Sequence, residues 1–177
     1  MIKTIESSSP ILKKYIECFY IYEGNSNNSF SYVAFPHFNT GLSFIKGAVI
    51  ERQNWNVQIT ENPNSEVHIE ILGKYISPVW VEYKGKLSEI SIVFKPLGLN
   101  HFFKENYKSI APEFSQELTN EEWIQFGCSL FTGDDDIKNI ETFLLSQFSD
   151  NQELSKIEES LTFLENSYEQ IPITDIA

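Results

Sequence analysis

The sequence is short of the residues on which most protein chemistry depends. It contains three histidines, two cysteines and one methionine in 177 residues. It has no G-x-S-x-G nucleophile elbow, no phosphate-binding P-loop and no G-x-G-x-x-G dinucleotide motif. The carboxylates form no identifiable acid–base pair, and neither Cys18 nor Cys128 has a basic neighbour that would activate its thiol. These absences argue against an enzyme.

Long apolar runs are also missing. No segment is apolar enough to cross a membrane, and the N-terminus lacks the apolar core of a signal peptide. The two cysteines lie far apart without metal-ligand spacing, so two buried free thiols in a reducing compartment are the simplest interpretation. We therefore expect a cytoplasmic protein that does not contact membranes.

Basic residues are scarce, and the excess of acidic residues over basic residues is unevenly distributed along the chain. The chain has 13 Lys and Arg against 25 Asp and Glu, which gives a net charge of −12. Residues 1–98 hold nine residues of each sign, so residues 99–177, with four Lys and sixteen Asp and Glu, carry the whole excess. A DNA-binding surface neutralises phosphates with Lys and Arg. This segment is not expected to bind nucleic acid by itself.

Aromatic residues are abundant, at 14% of the chain, and they favour β-structure. Short apolar and aromatic stretches bounded by turn residues predict strands at 15–24, 30–36, 41–47, 55–60 and 67–73. Residues 79–94 predict a hairpin with its turn at Lys84-Gly85-Lys86. About seven short strands at this spacing predict a barrel or sandwich rather than alternating strands and helices.

The apolar period becomes helical after Pro96. Helices are predicted within 99–107, 118–127, 133–148 and 152–170, with Asn120 as an N-cap. The last helix carries an apolar seam made of Leu154, Ile157, Leu161, Leu164 and Tyr168. We expect an α+β fold, with a cupin-like β-barrel or sandwich at 1–98. A helical subdomain at 99–149 should pack on or beside it, and a further helix should lie in 150–177.

The aromatic surplus suggests a pocket at the mouth of the barrel. The candidate lining residues are Tyr32, Phe35, His37, Phe44, Trp55, Trp80 and Glu82. Any single ring is more simply a core residue, but such rings with a few polar groups could together hold a small molecule. His37, His68 and Glu70 could also meet as a metal site, although ordinary histidines explain them more simply. We expect no cofactor and no bound metal.

Residues 73–103 resemble the N-terminal domains of one branch of AraC-type transcriptional regulators. The resemblance lies in a G-K turn, a strand ending in F-K-P-x-G and a following helix, at Gly85, Phe94, Lys95, Pro96, Gly98 and Phe103. Residues 35–44 and 113–127 are similar to further segments of those domains. His37 and Phe38 depart from the usual Asp-Gly of the family. The resemblance implies a sensor domain with a cupin-like fold.

The C-terminal segment resembles the start of an AraC-type DNA-binding domain. The matching positions are Ile157, Leu161, Leu164, Ile173, Ile176 and Ala177. The resemblance implies a regulator cut at the edge of its helix-turn-helix domain, which would contact DNA through the missing part. A natural terminus with a frayed tail is the simpler alternative.

Together these observations predict the effector-sensing or oligomerising domain of an AraC-type regulator. Its expected partners are an unknown small-molecule effector, DNA through the missing domain, and a second copy in a homodimer. The main alternative is a stand-alone module that binds a small molecule or a protein without contacting DNA. A cupin-type metalloenzyme is the third hypothesis.

Overall fold

The computed structural model describes residues 2–25, 29–73, 75–103, 114–133 and 135–150, together with positions 154, 156, 157, 159–161 and 163. These residues form two β-sheets and two α-helices with defined bounds, so the fold is α+β. We call the six-stranded sheet the central sheet, because helices pack on one of its faces and the second sheet packs on the other. The four-stranded sheet is the outer sheet.

The central sheet has the strand order β1-β2-β9-β4-β7-β10. Its strands are β1 (Ile2–Ile5), β2 (Ile16–Glu23), β4 (Thr40–Lys46), β7 (His68–Leu72), β9 (Ser88–Phe94) and β10 (Ser115–Glu117). Every pairing in this sheet is antiparallel. The described strands form two open sheets without closing into a barrel.

The outer sheet has the order β3-β8-β6-β5. Its strands are β3 (Ser29–Ala34), β5 (Ala48–Gln53), β6 (Asn56–Glu61) and β8 (Val79–Lys84). The β6–β8 pair is parallel and the other pairs are antiparallel. The chain passes directly from β4 in the central sheet to β5 in the outer sheet at Gly47, whose φ of 73° suits glycine.

Two α-helices cover one face of the central sheet: α1 (Glu121–Ser129) and α2 (Asp136–Gln147). The Asn120 side chain caps α1 by accepting from the backbone N–H groups of Glu122 and Trp123, as predicted. Short 3-10 turns lie at Leu12–Lys14 and Gly98–His101. No helix within the described residues has the length and apolarity needed to span a membrane.

The helix-covered face holds the larger apolar core. Phe44, Ile69 and Ile92 project from the central sheet into it, and Trp123 and Leu144 project from the helices. Helix α1 lies close to the sheet because Gly127 has no side chain. A Cβ atom there would lie 2.5 Å from Ile69 Cδ1.

The predicted hairpin at 79–94 is wrong. Strands β8 and β9 exist, but they belong to different sheets: β8 pairs with β3 and β6, while β9 pairs with β2 and β4. The turn at Gly85 carries the chain between sheets, and the carboxylate of Glu61 on β6 accepts from the Lys86 backbone N–H there. A tight turn between two apolar strands is therefore compatible with face-to-face packing as well as edge pairing.

Other predictions from the sequence also differ from the structure. Strands β1, β5 and β10 were not predicted. The predicted helix at 99–107 is a 3-10 turn over Gly98–His101, and residues 104–113 lie outside the described part of the chain. Cys18 is buried as expected, but Cys128 is exposed on α1. The period of α1 turns Trp123 and Gly127 inward, which leaves position 128 facing outward.

Candidate functional site: the cavity between the sheets

A cavity of about 700 Å³ lies between the central and outer sheets. This volume falls in the range of small-molecule sites in proteins. Strands of both sheets supply its walls, and Tyr75 and Phe114 from connecting segments also line it. The cavity therefore lies on the face of the central sheet opposite the helices.

The central sheet contributes an unusually polar wall. Ser43, Glu70, Glu89 and Ser91 all line the cavity, and all four lie on central strands of a six-stranded sheet. Their sequence neighbours, such as Phe44 and Ile90, point into the helix-covered core. Because side chains alternate along a strand, one sheet presents an apolar face to the helices and a partly polar face to the cavity.

Glu89 is a buried carboxyl group of this wall. The Ser91 hydroxyl donates to Glu89 Oε1 at 2.6 Å, and the Tyr83 hydroxyl donates to Oε2 at 2.6 Å. The Ser43 and Ser91 hydroxyl oxygens are 2.8 Å apart. Burial raises the pKa of Glu89 above its ordinary value, although the hydrogen bonds from Ser91, Tyr83 and Ser43 oppose this shift. The network thus holds a carboxyl group in an environment that penalises its charge.

A second carboxylate, Glu70, is paired. It is almost fully buried and forms an ion pair with the Arg52 guanidinium, which reaches across from the outer sheet. His68 lies beside this pair, with its Nε2 atom 3.5 Å from Glu70 Oε2. The charges of Glu70 and Arg52 offset each other within the cavity wall.

Aromatic rings form the wall nearest Glu89. Tyr22 and Tyr83 have ring centroids 4.4 Å apart, and Phe30 lies 5.9 Å from both Tyr22 and Tyr32. Tyr32 and Tyr83 are nearly parallel, at 6.3 Å and 16°. We call Tyr22, Phe30, Tyr32 and Tyr83 the aromatic cluster. Phe30 and Tyr32 keep 37% and 39% of their surface open, so this wall is accessible.

The phenol groups of the aromatic cluster are held neutral. Burial, followed by the nearby Glu89 carboxylate, raises the pKa of Tyr22, Tyr32 and Tyr83. Neutral hydroxyls both donate and accept, so these tyrosines can bind either kind of polar group on a ligand.

Three of the seven residues predicted for a pocket line this cavity: Tyr32, Phe35 and His37. Tyr32 projects inward from β3, while Phe35 and His37 follow the end of that strand. His37 Nδ1 accepts from the Asn39 backbone N–H, and its ring meets Tyr75 edge-on at 6.0 Å. All three residues therefore line the same cavity.

The other four predicted residues lie elsewhere. Phe44 is fully buried in the helix-covered core, 6.0 Å from Phe126. Trp80 and Glu82 are on the outward face of β8, where Trp80 is 58% exposed and Glu82 is paired with Lys84 at 2.8 Å. Hydrogen bonding to Lys84 lowers the pKa of Glu82.

Strand alternation explains why Phe44, Trp80 and Glu82 point away from the cavity. Val79, Val81 and Tyr83 of β8 are buried toward the cavity, which turns their neighbours Trp80 and Glu82 outward. Phe44 is turned away from the cavity in the same manner, because its neighbour Ser43 faces inward. Trp55 lies next to the cavity without lining it, stacked at 5.4 Å on Phe114.

The metal alternative and the helix seam have different outcomes. The described residues include no cluster of three metal-ligating side chains, so His37, His68 and Glu70 do not come together as one metal site. In the seam, Leu154 and Leu161 are partly buried and Ile157 is 52% exposed. Leu164 and Tyr168 lie outside the described residues.

Several cavity residues were not predicted from the sequence to line a pocket, although Glu70 was considered as a metal ligand: Tyr22, Ser43, Arg52, Glu70, Tyr83, Glu89 and Ser91. A signal for Glu89 and Ser91 exists, because they alternate with Ile90, Ile92 and Phe94 in a strand that returns to a buried sheet. A carboxylate in such a strand needs partners or a polar space. No comparable local signal marks Arg52, since its role depends on contact with another sheet.

Comparison with known proteins adds a family to this geometry. No curated protein and no solved structure matches the chain. One family model, described as a domain of unknown function (DUF6597), matches residues 7–115. This range contains every residue that lines the cavity except Ile2. Because the match covers more than half of the sequence, the chain belongs to this family, the domain of unknown function DUF6597.

Proposed function

We propose that this domain binds a small-molecule effector in the cavity between its sheets. The observation that carries the proposal is the cavity itself, about 700 Å³ in volume and lined by aromatic rings with a few convergent polar groups. Ligand sites in proteins have this composition, in which apolar area supplies affinity and a small number of polar groups fix orientation. The buried Glu89 network and the Glu70–Arg52 pair are such groups.

We further propose that the domain is the sensor of an AraC-type transcription regulator with a cupin-like sandwich. The support is the sequence resemblance at residues 73–103, together with two facing sheets of the kind that a cupin-like fold requires. Control of DNA binding would then belong to a segment beyond the described residues. The acidic character of residues 99–177 agrees with a role in protein contacts rather than in contacts with DNA.

The central sheet offers a physical route from ligand to output. Strands β4, β7 and β9 carry cavity residues on one face and helix-packing residues on the other. A ligand that binds one arrangement of the sheets more tightly would shift the population of helix arrangements by its difference in affinity. Such a shift is how effector binding could alter a DNA-binding unit attached after the helices.

A thermal-shift screen with a chemically diverse small-molecule panel tests the site. Ala34 lines the cavity from edge strand β3, and Ala34→Trp should fill part of the space. Ser31→Trp is the matched control, because Ser31 is exposed and lies opposite the outward-facing Glu82. Compounds that raise the melting temperature of the wild type and Ser31→Trp should have a reduced effect on Ala34→Trp. Equal effects on all three proteins, or no effect from any compound, would refute binding in the cavity.

A separate measurement addresses the regulator. An antibody against this domain should detect a native gene product clearly heavier than 20.5 kDa. Binding of that product to promoter DNA should change when a compound from the screen is added. If the native product has a mass of 20.5 kDa and binds compounds in the cavity, the protein is instead a stand-alone binding module.

A further inference from the structure

The charged groups that line the cavity favour one sign. Among the described lining residues, the ionisable acids and bases other than tyrosine and histidine are Glu17, Arg52, Glu70 and Glu89. Arg52 is already paired with Glu70. This leaves Glu89 in the interior and the exposed Glu17 at the edge, with no opposing Lys or Arg on the described walls. An anionic ligand would therefore meet three carboxylates against a single guanidinium that is paired with one of them.

The aromatic cluster lies beside Glu89 and adds to the same preference. Tyr83 connects the two directly, because its hydroxyl donates to Glu89 while its ring packs on Tyr22 at 4.4 Å. Phe30 and Tyr32 present open ring surface on the inward side of β3, opposite Tyr83 and Val81 in register. Aromatic faces carry negative electrostatic potential and attract cations, especially weakly hydrated ammonium groups.

We infer that the cavity takes an organic cation, with an ammonium group placed between the aromatic cluster and the Glu89 carboxylate. This inference rests on the proposed function, since it names the ligand class of the same cavity. The cationic group fits the wall that Glu89 and the rings share, and the remaining apolar lining fits the rest of the ligand. Val57, Ile59, Val79 and Val81 supply much of that apolar surface from the outer sheet.

A purely structural role for Glu89 makes a different prediction. Its two oxygens already accept from Ser91 and Tyr83, so the carboxylate could serve only to tie the sheets together. Each carboxylate oxygen has a second lone-pair site, which leaves Glu89 able to accept from or pair with a ligand. If Glu89 only linked the two sheets, the cavity would show no preference between a cationic ligand and a neutral ligand of the same shape.

The test compares two probes of equal shape, choline and 3,3-dimethylbutan-1-ol, in which a tert-butyl group replaces trimethylammonium. Calorimetric titration of the 177-residue chain at neutral pH should show choline binding about tenfold more tightly than the neutral probe. Glu89→Gln should reduce this preference several-fold and leave only the part that the rings supply, while the neutral probe should bind the variant nearly as before. Glu82→Gln is the matched control, because it removes one carboxylate from the outward face of the neighbouring sheet.

A second pair of variants tests the rings independently of Glu89. Tyr32→Leu should weaken choline binding several-fold, whereas Trp80→Leu, on the outward face, should leave it unchanged. This pair keeps the inference testable if Glu89→Gln fails to fold. Equal affinity for the two probes, a preference that Glu89→Gln leaves unchanged, or absence of choline binding would each overturn it.

The same data separate the inference from the proposed function. If choline fails but a compound from the screen binds in an Ala34→Trp-sensitive manner, the cavity is a ligand site and only the cation preference is wrong. If neither probe nor any screened compound binds, both the cation preference and the proposed function are wrong.

Discussion

The two faces of the central sheet come from the same strands but have opposite character. Toward the helices, residues such as Phe44, Ile90 and Ile92 pack into an apolar core. Toward the outer sheet, the neighbouring residues Ser43 and Glu89 line an open cavity. The first arrangement maximises burial of apolar surface, and the second keeps polar groups where they can meet a ligand. The contrast supports the proposal that the helix side serves stability and the cavity side serves ligand binding.

Two buried carboxyl groups show the same contrast: Glu141 lies on the helix side and Glu89 on the cavity side. Glu141 of α2 accepts from the Ser7 hydroxyl at 2.6 Å and from the backbone and hydroxyl of Ser8, so it fixes the N-terminal segment to the helices. Burial opposes the charge of Glu141, but the hydrogen bonds from Ser7, Ser8 and Ser9 outweigh it and lower its pKa. The pKa of Glu89 is raised because burial outweighs its hydrogen bonds. Of these two carboxyl groups, Glu141 is stabilised in its charged form and Glu89 is not.

The largest expected effect is on the helix side. Phe44→Ala should lower the free energy of unfolding by about 3–5 kcal/mol, because it leaves a cavity among Phe126, Ile69 and the sheet. Ser43→Ala, one residue away on the cavity face, should cost only about 1 kcal/mol for its contact with Ser91. Urea unfolding of both variants checks the comparison. Similar losses would contradict the distinction between the faces.

Glu141→Gln should lower the free energy of unfolding at neutral pH by about 2 kcal/mol, since the charged acceptor is lost. The folded-state pKa is lowered, so the contribution of Glu141 is present above its ordinary value of 4.5 and disappears as the pH falls through the folded-state value. The difference between wild type and variant should therefore shrink on acidification. Unfolding curves at several pH values below 6 would show a constant difference if Glu141 were unimportant.

The close packing of α1 on the sheet predicts a smaller loss. Gly127→Ala should destabilise the protein by about 1 kcal/mol, because overpacking against Ile69 and Phe44 exceeds the gain in helix propensity. Gly133→Ala is the matched control, since no atom lies within 4 Å of a Cβ atom built there. Thermal unfolding should separate the two variants. A stabilising effect of Gly127→Ala would mean that the helix lies farther from the sheet.

The smallest change at neutral pH is expected for Glu89→Gln, within about 1 kcal/mol, because relief of desolvation offsets weaker hydrogen bonds. Its pH dependence should be opposite to that of Glu141. A raised folded-state pKa gives stability that is present below 4.5 and lost as the pH rises through the folded-state value. Glu89→Gln should thus gain stability relative to wild type as the pH rises. The titratable groups facing Glu89 are Glu70, Tyr22, Tyr32 and Tyr83, and the tyrosines stay neutral over this range.

Strand and helix positions were largely predictable, because they depend on local patterns. The alternation in 55–60 corresponds to β6, and Asn120 caps α1 as its sequence suggests. The assignment of strands to sheets was not predictable in the same way. Whether β8 and β9 pair depends on partners distant in sequence, such as Tyr22 opposite Glu89.

The candidate site was predictable only in part, for the same reason. Alternation shows that Trp80 and Glu82 share a face of β8, but it does not show which face meets the cavity. Tyr32 and His37 were predicted as pocket residues from their residue type, whereas Glu89 and Arg52 are placed in the cavity wall by a sheet-to-sheet contact. That contact is a property of the tertiary fold.

The most direct test of the two-sided central sheet is a map of amide chemical shifts upon addition of a compound that raises the melting temperature. The account predicts that the largest changes occur at Ser43, Glu89, Ser91 and Tyr32, with small changes at Trp123 and Trp80. Changes centred on the helices or on the outward face of β8 would contradict the assignment of binding to the cavity.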